Sequence, residues 1–531
     1  MENSKKLLNK EKNNLDKKKL KLILITVCIA LMAVIASVSG LNVAQSDLAV
    51  DFNTSQNTVL WMINIYTLTL AALLLPLGAV GDRLGRKPIL IIGLVIFGIA
   101  SVAAGFATSP TIMLIARFLS GVGAAMIMPI TLAVITSTFP SEERSKAIGI
   151  WTAVAGGGGI LGMYLSAILV DFANWRWLFL LPVILVSISI FMGLKFIPNS
   201  KEKKQHGFDF IGSLFSIVAT IAIVYALHEA PSLGLFNPIV ITSLAVGIFT
   251  LTAFIYWESK CESPLLDFRF FKEPGLSKGS ISLLVIFGVQ AGIFVVLFPY
   301  FQAVLSWSGL KATFGLMPMA ILMMFSSGLA PKISSRIGSR FTISIGIIFS
   351  SIGLILLALL VSVNGGYLSV LPGMITMGIG MGLSMTPSTE LITNALPENR
   401  QGVASALNDL TRELGSALGV ALLGALVSSE YSKSISNKLI EIPYEIKTMA
   451  SEGIANALAI APIAGTQSQI IVDAAKQSFV EGWQHGMWIG VAVMLLLFIY
   501  IILTKDKIES INSANSIEES KIENEVDSNL V

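Results

Sequence analysis

Apolar runs long enough to cross a membrane recur along this 531-residue chain. A helix of about 20 residues crosses roughly 30 Å of hydrocarbon, and backbone groups inside lipid must bond to one another. Only 13% of the residues are charged, against about 25% in a typical soluble domain. A porin-like barrel is excluded, because its strands would alternate apolar and polar residues. The sequence therefore predicts an all-α polytopic membrane protein.

Fourteen such runs are predicted to span the membrane. They lie near 21–42, 58–80, 88–107, 111–137, 146–169, 175–197, 209–228, 237–257, 279–303, 312–333, 341–362, 367–391, 402–428 and 484–504. The basic segment 1–20 precedes the first span. The polar segment 505–531 follows the last one and is predicted to be disordered.

Lys and Arg residues fix the predicted orientation. With both termini in the cytoplasm, 28 of the 36 fall on the inner side and 6 on the outer side. Four of those six lie in one long outer loop, 429–483, where the positive-inside rule is weak. The remaining two, Arg117 and Arg412, lie within spans. We therefore expect a multi-pass protein of the cell membrane with both termini cytoplasmic.

The chain contains an internal repeat. The segment "GVGAAMIMPITLAVITSTFPSEER" from Gly121 resembles "GIGMGLSMTPSTELITNALPENR" from Gly378, and "RLGRK" at 83–87 resembles "RIGSR" at 336–340. The two offsets, 257 and 253 residues, share one register. The repeat predicts two six-helix bundles, at 21–200 and 261–504, with two inserted helices at 201–260.

Three motifs resemble those of a known family. The loop "GAVGDRLGRKP" (78–88) resembles the signature loop of the major facilitator superfamily, and "RFLSGVGAAMIMP" (117–129) is similar to its fourth-helix motif. The segment "NDLTRELGSALGVALLG" (408–424), with fourteen spans and a long outer loop, resembles the fourteen-helix drug–proton antiporter branch. The resemblance covers about residues 21–504. It implies the major facilitator fold and the export of hydrophobic or amphipathic compounds, including lipophilic cations, in exchange for protons.

The signature loop carries a predicted cytoplasmic latch. Glycines allow close helix approach and a tight turn there, and the charges can pair with helix ends or with Glu142, Glu143 or Arg144. The resemblance implies that ion pairs of this loop hold one conformation. The alternative is a positive-inside anchor with a helix cap. The predicted latch residues are Gly78, Asp82, Arg83, Gly85 and Arg86.

Three charges lie within the apolar span 13. Asp409 and Glu413 are four residues apart and share one helix face, with Arg412 beside them. A charge within a span is expensive and is expected to be paired or functional. The resemblance implies that these residues, with Arg117 of span 4, couple transport to proton movement. The alternatives are a structural Asp409–Arg412 ion pair and an Arg117 that extends to the membrane interface.

The sequence also departs from the antiporter pattern. Ser37 stands where the resemblance leads us to expect an aspartate. Asn64 and Met323 occupy spans 2 and 10, where dication exporters of this branch often carry acids. In span 5, Met163 replaces the proline of the usual motif. These differences leave proton coupling open and predict no strong preference for dications.

A bulky amphipathic ligand would suit aromatic and amide side chains facing a central cavity. Spans 1, 2 and 9 supply such side chains, and the alternative for each is ordinary helix packing. The predicted cavity residues are Asn42, Trp61, Asn64, Tyr66, Gln290, Phe294, Phe298 and Tyr300.

Other function classes have less support. An exporter of a peptide, lipid or metabolite, or a uniporter of the same fold, remains the main alternative, and a membrane sensor or enzyme is more distant. The chain has no G-x-x-x-x-G-K-[ST] phosphate loop, so the proton gradient rather than ATP is the expected energy source. His206, His228 and His485 are scattered. We therefore expect no cofactor, no metal site and no enzymatic activity. The expected partners are protons, a small-molecule substrate and membrane lipid, with no nucleic acid, and the protein is expected to be a monomer.

Overall fold

The computed structural model describes residues 2–199, 207–234 and 236–504. Side chains are described from Lys17 onward within these ranges, apart from those at 39, 42, 43, 46, 56, 57, 141, 142, 171, 231, 232, 272 and 398. The predicted disordered tail, 505–531, lies outside the described residues.

Fourteen helices are long and apolar enough to cross a membrane, and the described part of the chain contains no strand. They are α1 (Glu2–Val43), α2 (Gln56–Leu84), α3 (Arg86–Gly105), α4 (Pro110–Thr138), α5 (Ser141–Phe172), α6 (Leu180–Phe196), α7 (Phe210–Leu233), α8 (Pro238–Lys260), α9 (Pro274–Pro299), α10 (Met317–Ile337), α11 (Ser339–Leu360), α12 (Gly366–Ala395), α13 (Gln401–Lys438) and α14 (Ser468–Leu503). The predicted all-α fold class and the predicted number of spans are confirmed.

Two bundles surround the seam where the predicted halves meet. Helix α5 packs along α10, and α13 packs against α2 and α4, so each half contributes helices to the seam. The inserted helices α7 and α8 pack on each other, and α7 contacts both α2 and α13. We call the end of the bundle that carries the α2–α3 turn at Gly85 the inner end, and the end that carries residues 439–467 the outer end.

The outer segment differs from the predicted loop. Helices α13 and α14 have 38 and 36 residues, which at about 1.5 Å per residue exceeds the thickness of a membrane. The predicted loop 429–483 is therefore largely helical, with the short helices Tyr444–Ser451 and Ile454–Ile460 between the two long ones. Residues 468–482 form the beginning of α14.

Direct contacts between the two long helices account for this extension. The Lys438 ammonium lies 2.7 Å from the Glu481 carboxylate, and the Ser434 hydroxyl donates to Ser478 at 2.9 Å. The Tyr431 hydroxyl donates to the Ala450 carbonyl at 2.9 Å. The first two contacts hold α13 and α14 together as a helical hairpin beyond the spanning region, and the third holds the short helix Tyr444–Ser451 against α13.

The basic segment before the first span is part of the same helix as that span, whose apolar part begins near the predicted position, at Lys17. Helix α1 begins at Glu2, so the predicted boundary near residue 20 falls inside a continuous helix. Lysine and leucine are good helix formers, and nothing in the first 20 residues ends a helix.

The repeated basic motif has the same contact in both halves. The Lys87 ammonium donates to the Leu194 carbonyl at 2.6 Å, two residues before the end of α6. The Arg340 guanidinium donates to the Ile501 carbonyl at 3.3 Å, two residues before the end of α14. A cation stabilises the negative end of a helix. The last cation of each motif, Lys87 or Arg340, therefore binds the last helix of its own half. The two cations are 253 residues apart because they occupy equivalent positions of the repeat.

Candidate functional site

Asp409 lies at the centre of a buried polar cluster on α13. Its carboxylate is fully buried. One oxygen lies 3.3 Å from the Arg412 guanidinium and accepts a hydrogen bond from the Asn408 amide at 3.1 Å. The other oxygen has no hydrogen-bond partner. The carboxylate is thus paired on one side and free to bind a proton on the other.

Arg412 connects the two halves of the molecule. Its guanidinium lies over the Phe287 ring of α9, 4.4 Å from the centroid, and 5.6 Å from the Trp151 ring of α5. It also donates to the Ala155 carbonyl of α5 at 3.4 Å. Cation–π contacts strengthen when water is excluded, so this cation is held between aromatic faces from both bundles.

Glu413 differs from Asp409 in having no described partner. Its side chain is half-buried, and no hydrogen bond or ion pair joins it to the residues that the structure describes. It lies within electrostatic range of Arg412 and of the Tyr66 hydroxyl on α2. One paired and one unpaired carboxylate therefore lie one helical turn apart on α13, at the seam with α2.

Asp82 binds the beginning of the same helix. Its carboxylate accepts the Gly402 N–H at 2.7 Å and the Val403 N–H at 3.2 Å. It also forms a 2.8 Å ion pair with Arg86, four residues along the chain. The first N–H groups of a helix have no partner within the helix and attract negative charge. Asp82 thus caps α13 across the seam between the two halves.

Glycines make this contact possible. A Cβ atom at Gly78 would lie 2.6 Å from the Gly402 carbonyl oxygen, closer than real Cβ contacts occur. Gly85, at the α2–α3 turn, has φ of 110°, a value that favours glycine. The Arg83 guanidinium lies 5.2 Å from the centroid of the Phe208 ring. All five predicted latch residues lie at the inner end, and their role as a latch remains a prediction.

A second contact closes the inner end at the pseudo-symmetric position. A Cβ atom at Gly149 of α5 would lie 2.9 Å from the Pro331 ring of α10, and the Ser327 hydroxyl donates to the Gly149 carbonyl at 3.2 Å. Gly149 and Pro331 are each related to a member of the Gly402–Gly78 pair by the 253-residue offset. Helix seams on both sides of the molecule are therefore closed at the inner end.

Arg117 is fully buried in α4, about two turns from the outer end of that helix. Its guanidinium donates to the Met62 carbonyl at 3.1 Å and to the Ser37 hydroxyl at 3.0 Å, and it lies 4.2 Å from the centroid of the Tyr66 ring. The alternative, in which Arg117 extends to the membrane interface, predicts an exposed side chain, whereas the Arg117 side chain is fully buried. The proton-coupling role predicted for Arg117 remains untested.

The predicted cavity residues do not form one group. Trp61 stacks on Tyr225 of the inserted helix α7, with centroids 5.7 Å apart. Tyr300 is fully buried at the outer end, where its hydroxyl donates to the Ser362 carbonyl at 3.0 Å and its ring packs on Trp483. Both are packing contacts, and a substrate role for Trp61 and Tyr300 remains a prediction.

Other members of this group lie closer to the seam. The Tyr66 hydroxyl donates to the Val34 carbonyl at 3.2 Å. Gln290 is buried against Met323, and its amide oxygen has no partner. Asn64, Phe294 and Phe298 are half-buried, and the Asn42 side chain lies outside the described ones. A substrate role for these residues remains a prediction.

Several residues of the site escaped the sequence analysis. Trp151, Phe287 and Asn408 surround the Asp409–Arg412 pair; the first two come from apolar runs without a distinctive signal, and Asn408 begins the span 13 motif but was not assigned a role. No group of three or more His, Cys, Asp or Glu side chains with metal-binding geometry occurs among the described residues.

Comparison with a family model identifies the family of the chain. The model of the major facilitator superfamily matches residues 27–420. The chain belongs to the major facilitator superfamily. It is a multi-pass membrane protein of a family of transporters, and its fourteen helices comprise the two bundles of this superfamily and two further helices.

Characterised relatives resemble the chain over most of their length. A methyl viologen resistance protein of Salmonella typhimurium is 29% identical over 90% of this chain and 97% of its own. A multidrug efflux pump of Mycolicibacterium smegmatis is 31% identical over 82% and 86%. A multidrug resistance protein of Mycobacterium tuberculosis is 27% identical over 90% of each chain.

Solved structures share the fold at low sequence identity. A bacterial homologue of the lysosomal transporter Spinster superposes with a TM-score of 0.57 at 17% identity, covering 91% of this chain and 96% of its own. A proton:xylose symporter superposes with a TM-score of 0.54 at 15% identity, covering 92% and 96%.

Proposed function

We propose that the protein exports hydrophobic or amphipathic compounds in exchange for protons. One observation carries this proposal: α13 holds both the buried carboxylates and the N–H groups that Asp82 caps from the other half. Gly402 and Asp409 are seven residues apart, about two turns of one rigid helix. A change of charge at the carboxylates therefore acts on the same element that closes the inner end.

Binding and release of a proton at its carboxylates give α13 two charge states. A carboxylate in a low-dielectric site is costly unless it is paired or protonated. Glu413, without a partner, is the group whose charge depends most directly on a proton. Asp409 already has Arg412 as a counter-charge, so its proton is released more easily. On this proposal Glu413 loads a proton from the outer side, and Asp409 passes it towards the inner side. Arg117, whose guanidinium lies 4.2 Å from the centroid of the Tyr66 ring, also takes part in this proton coupling.

A substrate competes with this proton. A positively charged compound stabilises ionised Glu413, whereas protonation removes that attraction, so the two ligands exclude each other. The half-buried aromatic rings Phe294 and Phe298 supply apolar surface near Gln290. This combination favours bulky compounds that are apolar and carry one positive charge or none.

The names of the relatives support this class of substrate. They are described as multidrug efflux and drug resistance proteins. One is a resistance protein against methyl viologen, which is a dication. Asn64 and Met323 supply no second carboxylate, so we propose that monocations and neutral compounds are transported better than dications.

The proposed arrangement places the inner end in the cytoplasm. The excess of Lys and Arg on that side, together with Asp82 at the inner end, supports cytoplasmic termini and a location in the cell membrane. One chain contains both bundles, so the proposed function needs no second copy. Protons and the exported compound are the required ligands, and neither ATP nor a cofactor takes part.

Reconstitution of the purified protein tests the proposal. Proteoliposomes with an internal pH dye are given a lipophilic monocation, a neutral drug or methyl viologen, and protein-free liposomes serve as the control. We expect the first two to drive proton movement opposite to substrate movement. Substrate flux without proton flux would make the protein a uniporter. Proton flux only with peptides, lipids or metabolites would assign it to the alternative exporter class.

A further inference from the structure

Arg117 carries a buried positive charge without a counter-charge. Its side chain is fully buried, and all three of its contacts are neutral: the Met62 carbonyl, the Ser37 hydroxyl and the Tyr66 ring. Among the described side chains, no carboxylate forms an ion pair with it. An isolated buried charge is strongly disfavoured unless an opposite charge neutralises it.

Two hydrogen-bond donors at this position are unused. The Arg117 Nη2 group has no partner. The Ser37 oxygen accepts a hydrogen bond from Arg117 Nη1 at 3.0 Å, but its own hydrogen is donated to no described atom. Both residues are buried, and they come from different helices, α1 and α4. The neighbouring side chains thus combine a buried positive charge with N–H and O–H groups that have no described acceptor.

Asp51 at the outer end and Asp409 on α13 are already occupied, and Glu413, which has no described partner, forms no ion pair with Arg117. Asp51 pairs with Arg176 at 2.8 Å and accepts a hydrogen bond from the Trp175 indole at 3.0 Å. Asp409 is paired with Arg412 on α13. A bound water could satisfy a donor, but it would not neutralise the charge.

We propose that Arg117 and Ser37 bind a monovalent anionic group. Chloride, or the carboxylate of a small organic anion, supplies both the counter-charge and the acceptor that these side chains lack. The anion stands where a carboxylate at position 37 would otherwise lie. Because Arg117 is about two turns from the outer end of α4, the anion is expected to enter from the outer side. This site goes beyond the proposed export reaction and does not depend on it.

Thermal unfolding of the purified protein tests the site without any transport assay. Chloride is titrated against methanesulfonate, a bulkier anion without a carboxylate, at constant ionic strength, and sodium formate is titrated in the same way. We expect chloride to raise the melting temperature saturably, by about 2 °C or more. If formate acts at lower concentrations than chloride, the bound group is a carboxylate. If chloride acts at lower concentrations than formate, the bound group is the inorganic ion. An equal and negligible effect of both anions would overturn the proposal.

Variants of Ser37 assign the effect to this position. Ser37→Asp supplies an internal carboxylate and should abolish the anion dependence while keeping the protein monodisperse. Ser37→Ala removes one donor but leaves Arg117, and should raise the chloride midpoint about tenfold. Lys433→Met removes an exposed cation of the outer segment and should leave the wild-type response intact. If both Ser37 variants respond to chloride like the wild type, the anion binds elsewhere and the proposal is wrong.

Discussion

Asp82 and Gly402 are 320 positions apart in the chain, yet the Asp82 carboxylate accepts the Gly402 N–H at 2.7 Å. The contact joins the last turn of α2 to the first residues of α13, and so joins the two halves at the inner end. Asp409 lies about two turns further along α13. The contact that closes the inner end and the carboxylates of Asp409 and Glu413 therefore belong to one helix.

Asp82→Asn should weaken this closing contact. The amide loses the ion pair with Arg86 and its negative charge at the beginning of α13, while it still accepts one N–H bond. We expect a loss of about 1–3 kcal/mol for the closed form, which corresponds to roughly a 5- to 150-fold shift between the two forms. Ser405→Cys, buried at the inner end of α13, reports this opening through its rate of labelling by a thiol reagent.

The background and control for this measurement come from the chain itself. Replacing Cys28 and Cys261, its two cysteines, by serine leaves the introduced thiol as the sole target. Asp473→Asn removes an exposed carboxylate in the outer part of α14 and should change neither labelling nor transport. If Asp82→Asn also leaves both unchanged, the residue is only a membrane anchor.

Gly78→Ala should keep the inner end from closing. The new methyl group would meet the Gly402 carbonyl oxygen at 2.6 Å, and the contact on the other side is helix backbone that cannot move alone. We expect at least a tenfold loss of transport with normal expression, because the cost of about 1–3 kcal/mol falls on one conformation.

A glycine elsewhere provides the matched control. Gly328 lies on α10 with nothing within 4 Å of an added Cβ, so Gly328→Ala should be silent. Equal transport by both alanine variants would show that the α2–α13 crossing need not close during the cycle.

Lys87→Met and Arg340→Met should destabilise the two bundles separately. Each variant leaves the last carbonyls of α6 or α14 without their cation. We expect each to cost about 0.5–1 kcal/mol, and the double variant to show the sum, because the sites share no partner. Melting temperatures of the purified proteins measure this, with Lys146→Met, an exposed lysine, as control. A double variant whose melting temperature is no lower than that of either single variant would show that the contacts are not independent.

Cysteine labelling of intact cells should identify the outer end. Ile463→Cys, 81% exposed in the outer segment, should react with an impermeant thiol reagent. Native Cys261, between α8 and α9 at the inner end, should react only after the cells are permeabilised. The opposite pattern would reverse the orientation of the whole molecule.

Hydropathy and spacing were sufficient to predict the number of spans and the repeat. They also placed Asp409 and Glu413 on one face of α13, because spacing within a helix determines which side chains are neighbours. The repeat predicted that "RLGRK" and "RIGSR" are equivalent, and the Lys87 and Arg340 contacts confirm this equivalence.

Partners across helices were not predictable in the same way. Nothing in the sequence pairs Asp82 with residue 402 or Arg412 with Phe287, because such contacts depend on how helices cross rather than on their periodicity. The extension of α13 to Lys438 was also missed. Its outer part is polar, and it is stabilised by Glu481 and Ser478 from a distant helix. Ser37 was identified only as a missing acid, and its contact with Arg117 required the structure.

Uphill transport by Glu413→Gln tests the central claim most directly. Purified wild-type and variant proteins in proteoliposomes receive the same pH gradient and the same lipophilic monocation, with Glu441→Gln as an exposed control. We predict that Glu413→Gln binds the substrate but does not accumulate it against its gradient, with the initial rate reduced at least tenfold, about 1.4 kcal/mol or more. Accumulation by Glu413→Gln at the wild-type rate would contradict the account, because the proton would then be coupled to transport at another site.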